Sequence, residues 1–225
     1  MSEPVPDLRA DGHTDWRAYG PLELPPILDH ALGAIVEQGY HATTVRELAR
    51  RVGVTVPALY YHYSNKQAIL VELLLGSLAS VLGRCRTAVE EAGDDPVDRF
   101  CALVECIVLF MTYRAPLAFL DTESRSLESD NRVRYVSLRD ELEGLLRNAV
   151  LEGVDSGEFT IPVPVEASRA VLTMCQGIAH WYRPDGPLTP SEIADHYVTI
   201  ALATVGHRPK RGEGRRAGRT RTAAR

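Results

Sequence analysis

The sequence predicts an all-α protein: a small N-terminal unit of three helices arranged as a helix-turn-helix, followed by a larger helical bundle. Three observations carry this. Apolar residues recur at three- and four-residue spacing through most of the chain, glycine and proline interrupt the pattern at the ends of each run, and no segment of more than a few residues reads as a strand. At 225 residues, with 45% hydrophobic and 24% charged side chains, the chain has apolar material for one large domain or two small ones.

The first helix opens at Pro25 and Pro26, whose fixed φ suits a first turn, and runs through Ile27, Leu28, Ala31, Leu32, Ile35 and Val36 until Gly39 stops it. Thr44-Val45-Arg46-Glu47 has capping-box spacing and begins a second helix carrying Leu48, Ala49 and Val52, which Gly53 ends after about two turns. Thr55 is a further N-cap, Pro57 is tolerated in the first turn, and Ala58, Leu59 and Tyr60 continue a short third helix. Two short helices joined by a tight glycine turn behind a longer one are the parts of a helix-turn-helix. Asn65 caps a long fourth helix with Ile69, Leu70, Leu73, Leu74, Leu78 and Val81, running towards Ala92 and Gly93. After the Gly93-Asp94-Asp95-Pro96 break, a fifth helix at about 97–113 is apolar almost all round, which places it at the centre of the bundle. A short helix from Pro116 to about Leu127, an amphipathic one from Asn131 to Gly153, and two more at about 165–182 and 190–205 finish the fold. The last pair is parted by Pro184-Asp185-Gly186-Pro187.

Residues 1–22 are polar, aperiodic and rich in Gly and Pro, so a disordered arm is expected there. The helix-turn-helix unit is set at 23–66, the bundle at 67–206 and a basic disordered tail at 207–225. The tail carries +7 on a chain whose total is −5, so the body is acidic; such a tail is either a polyanion-binding appendage or a solubilising end. Cys85, Cys101, Cys106 and Cys175 fall inside apolar helical patterns without a C-x-x-C pair and read as buried thiols. The longest strongly apolar stretch, Cys101 to Tyr113, contains Glu105 and is shorter than the ~20 residues a membrane span needs. The N-terminus, with Glu3, Pro4, Pro6 and Asp7, lacks a basic region followed by an apolar one, so a cytoplasmic protein without a membrane partner is expected.

The segment from Gly39 to Leu70, GYHATTVRELARRVGVTVPALYYHYSNKQAIL, resembles the DNA-binding region of the TetR family of bacterial transcriptional regulators. The resemblance is carried by the Gly-aromatic end of helix one, Thr-Thr-Val at the start of helix two, and Ala49 and Gly53. Val54-Thr55 at the turn, Leu59-Tyr60-Tyr61-His62-Tyr63 and Asn65-Lys66 complete it. It implies a helix-turn-helix DNA-binding domain followed by a helical ligand-binding and dimerisation bundle. The implied function is a ligand-responsive repressor that binds a palindromic double-stranded operator as a homodimer and is released by a small hydrophobic or acyl-CoA effector. It also implies DNA contacts at Thr44, Thr55, Tyr61, His62 and Lys66.

The residues themselves support that chemistry. A recognition helix needs small or polar groups in its first turn, where base edges are reached, and hydrogen-bonding groups along the phosphates. Thr55, Val56, Pro57 and Ala58 supply the first, and the last three suit thymine methyls. Tyr60, Tyr61, His62 and Lys66, with Arg46, supply the second, and one of Tyr60 and Tyr63 is expected in the core. Backbone amides at the starts of helices two and four add phosphate donors. Residues 25–70 nevertheless carry a net charge of only +1, so affinity has to come from two modules acting together.

In the resembling family the bundle dimerises through its last two helices, here about 165–182 and 190–205. Ala170, Gly177, Ala179, Ala194, Ala201 and Ala203 would permit close approach there. The family also holds an apolar cavity among the middle helices. Candidate ligand contacts are Phe110, Met111, Tyr113 and Arg114 from helix five, Phe119, Glu123 and Arg125 from helix six, and Met174 and Trp181 from helix eight. The aliphatic and aromatic members read as readily as ordinary core, and Arg125 as a surface cation. The string from Trp181 to Thr189, with Glu123-Ser124-Arg125, resembles the branch of the family that senses acyl-CoA thioesters. It reads equally as a helix stop, a turn and a cap at Thr189 or Ser191.

Enzyme chemistry is not expected. The chain has no G-x-S-x-G elbow, H-E-x-x-H pair or Walker loop, and its seven histidines are scattered. The pairs His180 with Cys175 and Glu192 with His196 lack a third ligand, so neither a metal nor a cofactor is expected. The alternative to a DNA-binding regulator is a helical scaffold or interaction protein without specific DNA binding.

Overall fold

The structure, a computed structural model, describes residues 15–208. Among these residues the protein is all-helical: α1 (Pro26–Gln38), α2 (Val45–Val52), α3 (Val56–His62), α4 (Lys66–Ala92), α5 (Pro96–Tyr113) and α6 (Ala115–Phe119) come first. A 3-10 segment (Leu120–Ser126) then leads to α7 (Ser129–Asp155), α8 (Pro164–Gln176), α9 (Ile178–Trp181) and α10 (Pro190–Thr204). Most of the expected tail and residues 1–14 of the expected arm lie outside the described residues.

Local chemistry sets the helix ends. Thr44, Thr55 and Asn65 each accept a backbone N–H three residues on, from Glu47, Ala58 and Ala68, so three consecutive helices start on side-chain caps. Gly53 turns the chain between α2 and α3 at φ +80°, a left-handed conformation costly for a side chain, while Val54 N–H closes onto Ala49 O at 2.9 Å.

Two apolar cores result, and α4 belongs to both. Its first half packs Ile69, Leu70, Leu73 and Leu74 against α1, α2 and α3; its second half packs Val81, Leu82, Cys85 and Ala88 into the bundle. Twenty-seven residues make a rod of about 40 Å joining the cores. Among the described residues α4 is long and apolar enough to cross a membrane, unlike the stretch at 101–113, but its apolar residues are largely spent on these two cores. The core around α1 to α3 is completed from outside by Leu117, Leu120, Leu127 and Tyr135, so packing continues across the expected boundary at residue 66. Three short helices have too little surface to enclose a core alone. α5 is central as expected, with Phe100, Leu103, Val104, Ile107, Val108 and Phe110 buried among α4, α7, α8 and α10.

Three features differ from the sequence reading. The single helix expected from Pro116 to Leu127 changes into a 3-10 turn at Leu120, where Leu127 N–H bonds to Ser124 O and the Thr122 hydroxyl donates to Phe119 O. The helix expected through 165–182 breaks at Gly177, with His180 N–H bonding back to Gly177 O. The expected disordered arm is, from Asp15 onwards, a strap on the bundle. Trp16 is 2% exposed and donates its indole N–H to Glu91 at 2.9 Å, and Arg17 grips Glu105 at 2.7 and 2.9 Å. Arg84 donates to the Trp16 and Ala18 carbonyls, Arg114 donates to Gly20 O, and Tyr19 stacks on Tyr113 at 4.7 Å. Contacts of an irregular segment have no period, so hydrophobic patterning gives no sign of them. Of the four thiols, Cys85, Cys106 and Cys175 are buried and Cys101 is half-buried; burial pushes the Cys101 and Cys175 pKa values up to about 12.

Candidate nucleic-acid interface and effector cavity

The helix-turn-helix presents all but two of the expected DNA-contact residues to solvent. Thr44, Arg46, Thr55, Pro57, Ala58, Tyr60, Tyr61 and His62 are exposed, and Tyr61 is 88% exposed with its ring edge-on to His62. Leu59, between them, is fully buried and anchors α3. Val56 is half-buried and packs on the core, which leaves Pro57 and Ala58 as the apolar groups at the open start of α3. Of Tyr60 and Tyr63, Tyr63 is the core member, half-buried and packed on the core around α1 to α3. Exposed aromatic side chains near small ones at a capped helix start suit phosphates and base edges.

Two cations sit differently from a free phosphate arm. Lys66 donates to the carbonyls of Tyr40 and Thr43, both at 2.8 Å, and its ammonium lies 4.0 Å from the centre of the Tyr40 ring. Burial holds its pKa below the usual lysine value. Two of its three donors thus hold the loop between α1 and α2, and the DNA contact expected of Lys66 is left with the third. Arg51 pairs with Glu37 at 2.7 Å and Glu47 at 3.0 Å, leaving Arg46 and Arg50 as the exposed cations of α2.

The same loop is held from the bundle. The Glu123 carboxylate accepts the Tyr40 backbone N–H at 3.1 Å, and the Ser126 hydroxyl lies 3.1 Å from His41 Nε2. Gln67 bridges the two sides, accepting from the Tyr40 hydroxyl at 2.9 Å and donating to Ser126 O at 3.2 Å. Glu123, expected among the ligand contacts, is instead a tie between the 3-10 segment and the loop joining α1 and α2.

A cavity of about 60 Å³ lies where the two cores meet. Leu74, Leu78, Val81, Phe110, Met111, Leu117, Ala118 and Leu142 give it hydrocarbon walls, and Ser77, Asp121, Thr122, Tyr135, Gln176 and His180 are its polar members. Phe110 and Met111 are where they were expected. The other candidates are not on this wall. Tyr113 and Arg114 serve the N-terminal strap, and Phe119 packs beside the His180 ring at 5.6 Å. Met174 packs on the bundle core, and Arg125 is exposed. Trp181, 49% exposed, lies over Tyr197 of α10 at 6.5 Å. Asp121, Thr122, Tyr135 and His180 were missed, because being polar they carry no apolar-face signal. Burial pushes the Asp121 carboxyl up, although the residue is on the rim, with Arg139 and His180 acting the other way.

The last helices divide their surface. Ala194 and Ala201 are buried within the chain, where α10 packs on α5, so they serve internal packing and not a subunit interface. Trp181, Leu188 and Ile200 remain exposed on the outer side, with Ala170 and Ala203. Glu192, one of the candidate metal ligands, closes a capping box on Thr189, which holds its carboxyl below the usual range.

Comparison with known proteins agrees with this geometry. Residues 27–73 match the model of the bacterial regulatory proteins of the tetR family, and residues 93–205 match the tetracyclin repressor-like C-terminal domain. The HTH-type transcriptional repressor KstR2 of Mycobacterium tuberculosis is 29% identical over 185 residues, covering 80% of this chain and 90% of that one. The crystal structure of PfmR, a TetR family regulator from Thermus thermophilus, is 33% identical with a TM-score of 0.70, covering 79% of this chain and 97% of that one. AibR, solved with isovaleryl coenzyme A and operator DNA, shares the fold at 24% identity and a TM-score of 0.68, covering 77% of this chain and 95% of that one. With both halves matched in order, and with a capped helix-turn-helix whose recognition face is open, the chain belongs to the TetR family of bacterial transcriptional regulators.

Proposed function

We propose that this protein is a cytoplasmic repressor that binds a palindromic double-stranded operator as a homodimer and releases it when a small hydrophobic or acyl-CoA effector occupies the cavity. The observation that carries the reading is the join between cavity and DNA-binding loop. Asp121 and Thr122 are cavity wall, and the next residue, Glu123, holds the Tyr40 amide. A ligand that shifts the 3-10 segment, or α4 whose first residue Lys66 holds the same loop, changes the placement of α3. Recognition helices of a dimer must sit about 34–36 Å apart, so displacement by a few ångströms is enough for release. Exposed Trp181, Leu188 and Ile200 supply apolar surface for the second copy.

The repressor name of KstR2 and the isovaleryl coenzyme A bound by AibR belong to those proteins; they support an acyl-CoA as one effector class here. Exposed Arg125 and Arg183 are the candidate partners for its phosphates. No catalytic role is assigned to the chain. The test is to map sites bound across the genome, confirm binding to one of them with purified protein, and titrate the complex with thioesters and neutral hydrophobic compounds. A purified dimer that ignores all DNA at low salt would favour the scaffold reading instead.

A further inference from the structure

A segment without regular structure joins the same two cores as α4. Trp16 is buried in the bundle core and Tyr19 packs on it, whereas Leu22 and Leu24, a few residues on, pack on the core around α1 to α3. Between these points the strap is fixed to α4 and α5 in turn. α4 holds it through Glu91, which accepts the Trp16 indole N–H, and through Arg84, which donates to the Trp16 and Ala18 carbonyls at 2.9 Å. α5 and its cap hold it through Glu105 on Arg17, Tyr113 stacked on Tyr19, and Arg114 donating to Gly20 O at 3.1 Å. These anchors adjoin the cavity: Arg84 follows the wall residue Val81 by three positions, and Tyr113 follows the wall residue Met111 by two.

We propose that the strap is a second coupling line between the bundle and the DNA-binding unit, reading the spacing of α4 from α5 beside the cavity and setting the placement of α1. Through the shared core around α1 to α3, it then sets the placement of α3. The proposal rests on the effector-controlled repressor reading and deepens it by naming a regulatory route to the recognition helix. Because the strap is bonded to both helices, a change in their separation cannot leave every anchor seated. Only residues 21–25 lie between the last anchor, Gly20, and α1, and two of them are packed, so the link has little slack to absorb the movement. Glu123 and Lys66 hold the loop at the other end of α1, so the two lines grip that helix at both ends.

The test uses full-length protein and two duplexes, one selected by wild type from a random pool and one of scrambled sequence. Inserting Gly-Ser-Gly-Ser between Pro21 and Leu22 slackens the link and leaves the anchors in place. Affinity for the selected duplex is expected to fall at least fivefold, because a dimer reads a palindrome only with both recognition helices in position. Affinity for the scrambled duplex should stay within twofold, since phosphate contacts are indifferent to sequence. Tyr113→Ala removes an exposed ring from the α5 anchor and should cost two- to threefold on the selected duplex. Combined with the insertion it should cost no more than the insertion alone, because both act through one line. Melting within a few degrees of wild type, with Trp16 still shielded from iodide, shows that the fold and the strap are intact; if the insertion unseats the strap, Tyr113→Ala by itself decides. Unchanged affinity for the selected duplex, equal loss on both duplexes, or additive losses would overturn the proposal. A wild type that selects no sequence removes the repressor reading and this proposal with it, whereas selection indifferent to slack removes the strap proposal alone.

Discussion

The Glu123 carboxylate accepts the backbone N–H of Tyr40 at 3.1 Å, across the border between the bundle and the DNA-binding helices. The two residues are 83 positions apart, and the bond is one of four ties on the same loop, beside Ser126 with His41, Gln67 with the Tyr40 hydroxyl, and Lys66 with the Tyr40 and Thr43 carbonyls. A loop held from both α4 and the 3-10 segment reports the relative position of those elements to the helix-turn-helix.

Glu123→Ala is therefore expected to separate sensing from binding. Loss of a hydrogen bond to a charged group costs about 1.5–3 kcal/mol of stability, while operator affinity without effector should stay within a few-fold of wild type. The amount of effector needed to release the operator should rise at least fivefold. Operator titrations with and without effector check this; an unchanged effector response would show that the tie carries no signal.

Lys66 and Tyr61 should respond in opposite ways. Lys66→Ala breaks two bonds to loop carbonyls and should lower stability by roughly 2 kcal/mol, with the slope of log affinity against log salt changing by less than one. Tyr61→Ala, at an exposed position, should leave the melting temperature unchanged and weaken DNA binding about tenfold or more. Denaturant melts and salt-dependent DNA titrations on both variants decide the matter, and a lysine variant as stable as wild type would refute its role as a loop tie.

The N-terminal strap should behave as core. Trp16→Ala removes an indole buried in the bundle and its bond to Glu91, at an expected cost of about 3–5 kcal/mol. The two tryptophans should also separate by fluorescence: iodide is expected to quench Trp181, half-exposed, and to leave Trp16 protected. Quenching that strips both equally would mean that the strap is open in solution.

Glu72 offers a prediction with a pH sign. One of its carboxylate oxygens is buried without a partner among the described residues, and burial pushes its pKa up, with Tyr63 acting the other way. The folded state then holds the proton more tightly than the unfolded chain. The linked stability is present below the ordinary glutamate range of about 4.3 and is lost as pH rises through the elevated folded value. Glu72→Gln, neutral throughout, should melt higher than wild type near pH 7, and its advantage should disappear towards pH 4. Melting curves across that range check it, and a constant difference at every pH would exclude the charge as the cause.

What the sequence by itself determined is everything set within a turn or two of chain. Thr44, Thr55 and Asn65 cap their helices because a hydroxyl or amide oxygen reaches an N–H three residues on, and Gly39 and Gly53 stop helices through their positive φ. The all-α class, the open start of α3 and the central position of α5 follow from that local spacing, while the place of Phe110 and Met111 on the cavity is what the family resemblance implies. Tertiary structure alone decided the rest, because those contacts join residues far apart in sequence whose meeting depends on how helices dock. Trp16 meets Glu91, Lys66 meets the Tyr40 and Thr43 carbonyls, and Glu123 meets Tyr40 in place of a ligand. Tyr135 of α7 became a cavity-lining residue whose hydroxyl has no partner among the described residues only once α4, α5 and α7 had packed around it. A hydrogen-bonding group is satisfied or stranded by its three-dimensional neighbours, and hydrophobic period has no term for that.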